Sequence, residues 1–129
     1  MNNIASYING LQHIGVPTGD FAATVAFYES LGFEIKYQTV NNGDQVAFLG
    51  RGTCVIETYE YSDPANANGA VDHIALDVTD IQAVYDELTA RGHQALEGSI
   101  QSLPFWANGV KYFTILGPNH EKVEFSQYL

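Results

Sequence analysis

The chain has 129 residues, 46% of them hydrophobic and 16% charged, which is enough for one globular core and too little for two ordinary domains. Lys and Arg number 5 against 15 Asp plus Glu, a formal net charge of −10 that excludes a phosphate-backbone binder and a protein docked on an anionic membrane. Cys54 is the single cysteine, so an intrachain disulfide and a Cys-rich metal site are excluded, and no apolar run reaches the ~18 residues of a membrane span. The opening MNNIASYINGLQ has neither the basic start nor the apolar stretch of a signal peptide, so the expectation is a soluble cytoplasmic protein that meets neither nucleic acid nor membrane.

In chain order, LQHIGV alternates as a strand, with His13 and Leu11 on one face and Ile14 and Val16 on the other. Asp20 is placed to cap a helix whose apolar stripe is Phe21, Val25 and Tyr28, and Gly32 is placed to end it at positive φ. FEIKYQTV, QVAFLG and TCVIETYEY read as strands, with turns at Asn42-Gly43 and Gly50-Arg51-Gly52. Residues 62–70, SDPANANGA, carry no apolar period and read as a linker.

VDHIALDV then reads as a strand with His73, Val71 and Ala75 on one face and Ile74, Leu76 and Val78 on the other. A second helix follows, with the stripe Ile81, Val84, Tyr85 and Leu88 and a stop at Gly92. Its start is either an Asp80 cap or a capping box from Thr79 to Gln82. QALEG, KYFTILG and KVEFSQY are the remaining strands, with a turn at Pro118-Asn119.

These elements form a repeat. His13 and His73, Ile14 and Ile74, Asp20 and Asp80, Ala23 and Ala83, and Gly32 and Gly92 all stand in the same register. Towards the ends of the halves Gly50 matches Gly117 and Glu57 matches Glu124, the larger offset being taken up by extra residues in SIQSLPFWANGVK. The expected fold is α+β: two βαβββ modules, about 8–61 and 71–129, within one domain spanning 1–129. They should curl as a curved, partly open barrel around a shared cleft.

The repeat puts two histidines at equivalent points on first strands and two glutamates at equivalent points on last strands. His13, Glu57, His73 and Glu124 can therefore face one point. Two imidazoles and two carboxylates suit one divalent ion, Zn, Ni, Co, Mn or Fe(II). The glutamates sit in apolar strands (CVIETY, KVEFSQ), where an unpaired carboxylate is expensive to bury and a metal removes that cost. His93, after a helix stop, and His120, in a turn, are expected at the surface with no role.

LQHIGV, FYESLGF, VDHIAL and ILGPNHEKVEF resemble the recurrent segments of the vicinal oxygen chelate superfamily, which groups glyoxalases, bleomycin-resistance proteins and extradiol dioxygenases. The pattern is most similar to glyoxalase I (lactoylglutathione lyase), and the resemblance implies His13, Glu57, His73 and Glu124 as metal ligands. It further implies an isomerase or lyase that moves a proton next to a carbonyl through a metal-stabilised enediolate, with Glu124 as the favoured base and Glu57 as its counterpart. Pro17 stands where such enzymes carry an arginine, and Tyr59, Glu60 and Tyr61 where they carry an asparagine. A thiol other than glutathione, or a small neutral carbonyl compound, is therefore the expected substrate partner.

Tyr59, Phe105, Trp106 and Tyr112 are the candidate aromatic lining of the pocket. The alternatives are an Fe(II) extradiol-type dioxygenase using His13, His73 and Glu124, and a non-catalytic ligand-binding protein of the bleomycin-resistance type. A homodimer is expected, because a half-open sheet leaves edges and apolar surface to cover.

Overall fold

The computed structural model describes residues 3–118 and 120–129. Its elements run β1 (Ile8–Thr18), α1 (Phe21–Ser30), β2 (Glu34–Asn41), β3 (Asp44–Arg51), β4 (Cys54–Glu60), β5 (His73–Val78), α2 (Ile81–Ala90), β6 (Gln101–Leu103), β7 (Val110–Leu116) and β8 (Lys122–Tyr128). This is an α+β chain made of βαβββ twice. The chain folds as two compact units, one of residues 13–73 and the other of 74–129 together with the residues before His13. Among the described residues no helix is long and apolar enough to cross a membrane.

In the unit of residues 13–73 the strand order is β2-β3-β4-β1. β2, β3 and β4 are an antiparallel meander, and β4 pairs parallel with β1 in the register Ile14↔Ile56, Gly15↔Glu57 and Val16↔Thr58. The β2–β3 hairpin turns on Asn42 and Gly43, both at positive φ (49° and 85°), the conformation that this pair of residues tolerates. The next turn departs from expectation. Gly50 stays in β3, opposite Glu34, and the reversal falls on Gly52 at φ 58° with Thr53. α1 packs on β2, β3 and β4.

Both helices start and stop through local chemistry. Asp20 Oδ1 accepts the Ala23 N–H at 3.0 Å, and Asp80 Oδ1 accepts the Ala83 N–H at 3.0 Å. The capping-box alternative is not the one adopted: the Gln82 side chain donates to Asp86 instead. Gly32 and Gly92 take φ near +90° (94° and 92°), and each helix closes as a Schellman turn, with Phe33 N–H on Tyr28 O and His93 N–H on Leu88 O.

The other unit has the order β5-β8-β7-β6, the same connectivity as the first. Its core joins α2 to the sheet through Val78, Ile81, Val84, Leu88, Phe113, Ile115 and Phe125. The segment Ile4–Tyr7, a single 3-10 turn, packs against it, and β1 residue Gln12 donates to Asp77 and to the Ser126 carbonyl. The strand expected at QALEG is not there. Leu96 N–H bonds Thr114 O, then the chain turns at Gly98 (φ 86°), and the pairing strand is Gln101–Leu103. A glycine at positive φ ends extended pairing where apolar composition alone implied a strand. His93 and His120 are exposed as expected, and Asn119 of the expected turn lies outside the described residues.

Candidate metal centre

Register builds the site within the unit of residues 13–73. Glu57 of β4 lies beside Gly15 of β1 and Phe48 of β3, so all three share a face. His13, two residues ahead of Gly15, lies on that face too, as does Tyr59, two residues beyond Glu57. The opposite face carries Ala47, Leu49, Ile56 and Thr58, all buried. His73 is brought in from the start of β5 by its neighbour, whose backbone N–H (Asp72) bonds Gly15 O at 2.8 Å. Its imidazole then occupies the space a side chain at position 15 would need: a Cβ there would lie 2.1 Å from His73 Cε1.

Three atoms converge. His13 Nε2 lies 3.3 Å from Glu57 Oε1, His73 Nε2 lies 3.3 Å from the same oxygen, and the two Nε2 atoms are 3.3 Å apart. His13 is 4% exposed and both partners are largely buried. Burial alone would push the Glu57 carboxyl up, but hydrogen bonds from His13 and then His73, and the charge of both rings, outweigh it and lower the carboxyl from 4.5 to about 2. The Phe48 ring meets His13 edge-on at 5.4 Å, which closes the cluster on that side with an apolar wall.

The donor set fits a divalent ion. Metal–ligand bonds of about 2.0–2.1 Å at tetrahedral angles set neighbouring ligand atoms roughly 3.3 Å apart, which matches all three edges of this triangle. The histidine tautomer fits as well. Asp72 Oδ2 lies 2.9 Å from His73 Nδ1, and a carboxylate oxygen only accepts, so Nδ1–H donates there, and Nε2, which donates to Glu57 in the metal-free protein, is the nitrogen that can give its lone pair to an ion.

Glu124 is on β8 of the other unit, opposite Thr114 of β7, the counterpart of Glu57 opposite Phe48. It is half-buried, and the residues on either side, Val123 and Phe125, belong to the α2 core. Of the aromatic candidates, Tyr59 stacks beside His73 (centroids 6.3 Å apart) and donates its hydroxyl to Asp72 at 3.3 Å. Phe105 is buried, and Tyr112 is half-buried between its sheet partners Gln101 and Ser126. Trp106, at φ 63° and edge-on to Tyr128, lines a cavity of about 520 Å³ with Leu103, Pro104, Asn108 and Leu129.

A family model for the Glyoxalase/Bleomycin resistance protein/Dioxygenase superfamily matches residues 10–125. The chain belongs to that superfamily. It is 37% identical over 124 residues to "Uncharacterized protein YwbC" of Bacillus subtilis (strain 168), covering 91% of this chain and 96% of that one. Among solved structures it is similar to methylmalonyl-CoA epimerase from Mycobacterium tuberculosis (TM-score 0.79, 19% identity, 95% of this chain and 90% of that one). It is also similar to the Mn(II)-bound glyoxalase from Novosphingobium aromaticivorans (TM-score 0.65, 17% identity, 94% of this chain and 39% of that one). At these identities the solved structures show a shared fold.

Asp72, Gly15 and Phe48 belong to this candidate site without being among the residues the sequence points to. Asp72 directly precedes His73 in VDHIAL, a visible signal, but an aspartate beside a strand histidine ordinarily points to the opposite face. It reaches the Nδ1 edge because His73 is the first residue of β5 and Asp72 lies outside the strand. Gly15 in LQHIGV reads as a weak strand residue until the His73 ring is found over it.

Proposed function

We propose that this protein is a divalent-metal isomerase or lyase of the glyoxalase I type, with His13, Glu57, His73 and Glu124 as ligands. The observation that carries the reading is the convergence of His13 Nε2, Glu57 Oε1 and His73 Nε2 at 3.3 Å from one another. Glu124 joins the set through its equivalence to Glu57 in the repeat and in the β7–β8 register. A bound divalent ion supplies Lewis acidity, polarising a substrate carbonyl and acidifying the adjacent C–H.

The chain's own groups do the rest. Glu124 is the base that takes the proton from carbon and returns it to the neighbouring carbon, so the substrate keeps its atoms and only bond order and proton position change. Glu57, held ionised by the two imidazoles, is its counterpart across the site. Phe48 excludes water from the His13 side, and Tyr59 presents a ring beside His73 for the substrate, with Phe105, Trp106 and Tyr112 as further lining. With 5 Lys plus Arg in the whole chain, the substrate is a small neutral carbonyl compound or the adduct of a thiol other than glutathione. The same reading takes the chain as a single cytoplasmic domain working as a homodimer.

The test is elemental analysis of wild type, Glu57→Gln and His73→Ala purified without chelator, followed by assay on 2-oxoaldehyde–thiol adducts and ketose-like compounds. About one divalent ion per chain, reduced in both variants, is expected. Metal lost in His73→Ala and kept in Glu57→Gln moves the protein to three-ligand chemistry of the extradiol type. No metal after reconstitution leaves a ligand-binding protein.

A further inference from the structure

The imidazole of His73 is held from three sides by groups that are not ligands. Along its edge, Asp72 Oδ2 accepts from Nδ1 at 2.9 Å. On its face lies the Tyr59 ring, tilted by 29°. Beneath it is Gly15, where no Cβ intervenes. Asp72 is itself fixed twice, by its backbone N–H on Gly15 O at 2.8 Å and by the Tyr59 hydroxyl on the same Oδ2 at 3.3 Å. A ring flip about the Cβ–Cγ bond would exchange Nδ1 for a carbon at the carboxylate and turn Nε2 away from Glu57 Oε1, so the Asp72 contact selects one of two ring orientations.

We infer that Asp72 and Tyr59 are positioning residues for the metal ligand His73: Asp72 sets its tautomer and ring orientation, and the Tyr59 hydroxyl holds Asp72 in place. The inference rests on the proposed metal site and deepens it. The Asp72 carboxylate keeps a proton on Nδ1, so Nε2, at 3.3 Å from His13 Nε2 and Glu57 Oε1, is the nitrogen that gives up its proton and offers its lone pair when an ion binds. The carboxylate also makes the imidazole a stronger donor to a cation. Tyr59 acts twice: its ring limits the tilt of His73, and its hydroxyl occupies a lone pair of Asp72 that would otherwise let the carboxylate rotate towards water.

Two measurements on the full chain test this, and the first needs no metal. Nitrogen-15 NMR of histidine-labelled, metal-free protein reads the His73 tautomer directly. Wild type is expected to carry a proton on Nδ1, whether or not Nε2 is also protonated against Glu57, with that proton retained in Asp72→Asn, whose amide oxygen still accepts, and partly lost in Asp72→Ala. The second is Zn(II) affinity by chelator competition. Asp72→Ala is expected to bind roughly 10–100-fold more weakly, Asp72→Asn between it and wild type, and Tyr59→Phe weaker by about a few-fold. A wild type with Nδ1 unprotonated overturns the inference, as does Zn(II) binding by Asp72→Ala and Asp72→Asn within twofold of wild type. A wild type that binds no Zn(II) overturns the metal reading instead, while the tautomer measurement still decides whether Asp72 orients the ring. Tyr59→Phe keeps the ring stack and removes only the hydroxyl, so unchanged affinity there overturns the role of Tyr59 alone.

Discussion

α1 and α2 hold equivalent places in the two modules, begin on the same aspartate cap and close on the same glycine turn, yet they bury the same face to different depths. α2 buries Ile81, Val84 and Leu88 and turns Gln82 and Asp86 outward, so its apolar stripe is spent on one core. α1 fully buries Phe21 alone and leaves Phe27 and the adjoining Leu31 in water. The sheets differ at matched positions. Phe113, Ile115 and Phe125 fill the α2 core where Ala47, Leu49 and Thr58 stand in β3 and β4. On the other face Thr114 lies opposite Glu124 where Phe48 lies opposite Glu57, with His13 on the same face as Glu57. Duplicated local signals therefore give equal helices, while the use of each module depends on which side chains the register lines up. One unit is organised by apolar packing, and the other carries a charged cluster.

The largest effect should come from the packed unit. Phe113 is 1% exposed, stacked on Phe125 and edge-on to Tyr85, so Phe113→Ala should cost about 3–5 kcal/mol in urea unfolding. Phe27→Ala on α1 should stay within about 0.5 kcal/mol. A loss at Phe27 above that breaks the comparison and means that α1 is covered in solution by the subunit interface.

Next comes the site. Gly15→Ala puts a methyl group where the His73 ring lies, and the ring can yield only by leaving its partners. The chain should stay folded by circular dichroism while Zn(II) affinity falls by roughly a hundredfold, the loss expected when a ligand and its hydrogen-bonded support are displaced together. Affinity unchanged from wild type would show that His73 is not held over Gly15.

The smallest effect concerns acid. The folded Glu57 carboxyl sits near 2 against an ordinary 4.5, so its contribution is fully present above about 4.5 and is lost as pH falls towards 2. In metal-free protein, wild type should lose on the order of 2 kcal/mol more than Glu57→Gln across that window. Parallel acid limbs for the two proteins would show that the imidazoles do not hold the carboxylate.

Much of the molecule was legible before folding because the signals are local. Asp20, Asp80, Gly32, Gly92 and Asn42-Gly43 act within a few residues of themselves, through one hydrogen bond or one positive φ, and each does what its type dictates. The repeat made His13, Glu57, His73 and Glu124 candidates, since a histidine and a glutamate at matched positions are hard to explain as isolated surface residues. QALEG failed for the converse reason: its apolar content favours a strand, but Gly98 turns the chain, and the pairing partner of β7 starts at Gln101.

Sequence by itself determined the order of elements, the duplication, the helix ends and the candidate ligand residues, because each follows from short-range backbone chemistry or from counting positions. Tertiary structure decided that Gly15 stands beside Glu57, that the His73 ring rests over Gly15, and that Asp72 and Tyr59 secure its orientation. Those facts depend on strand register, and a shift of one residue moves every side chain to the other face. Register is set jointly by the hydrogen bonds and packing of strands distant in the chain, which no local window of sequence contains.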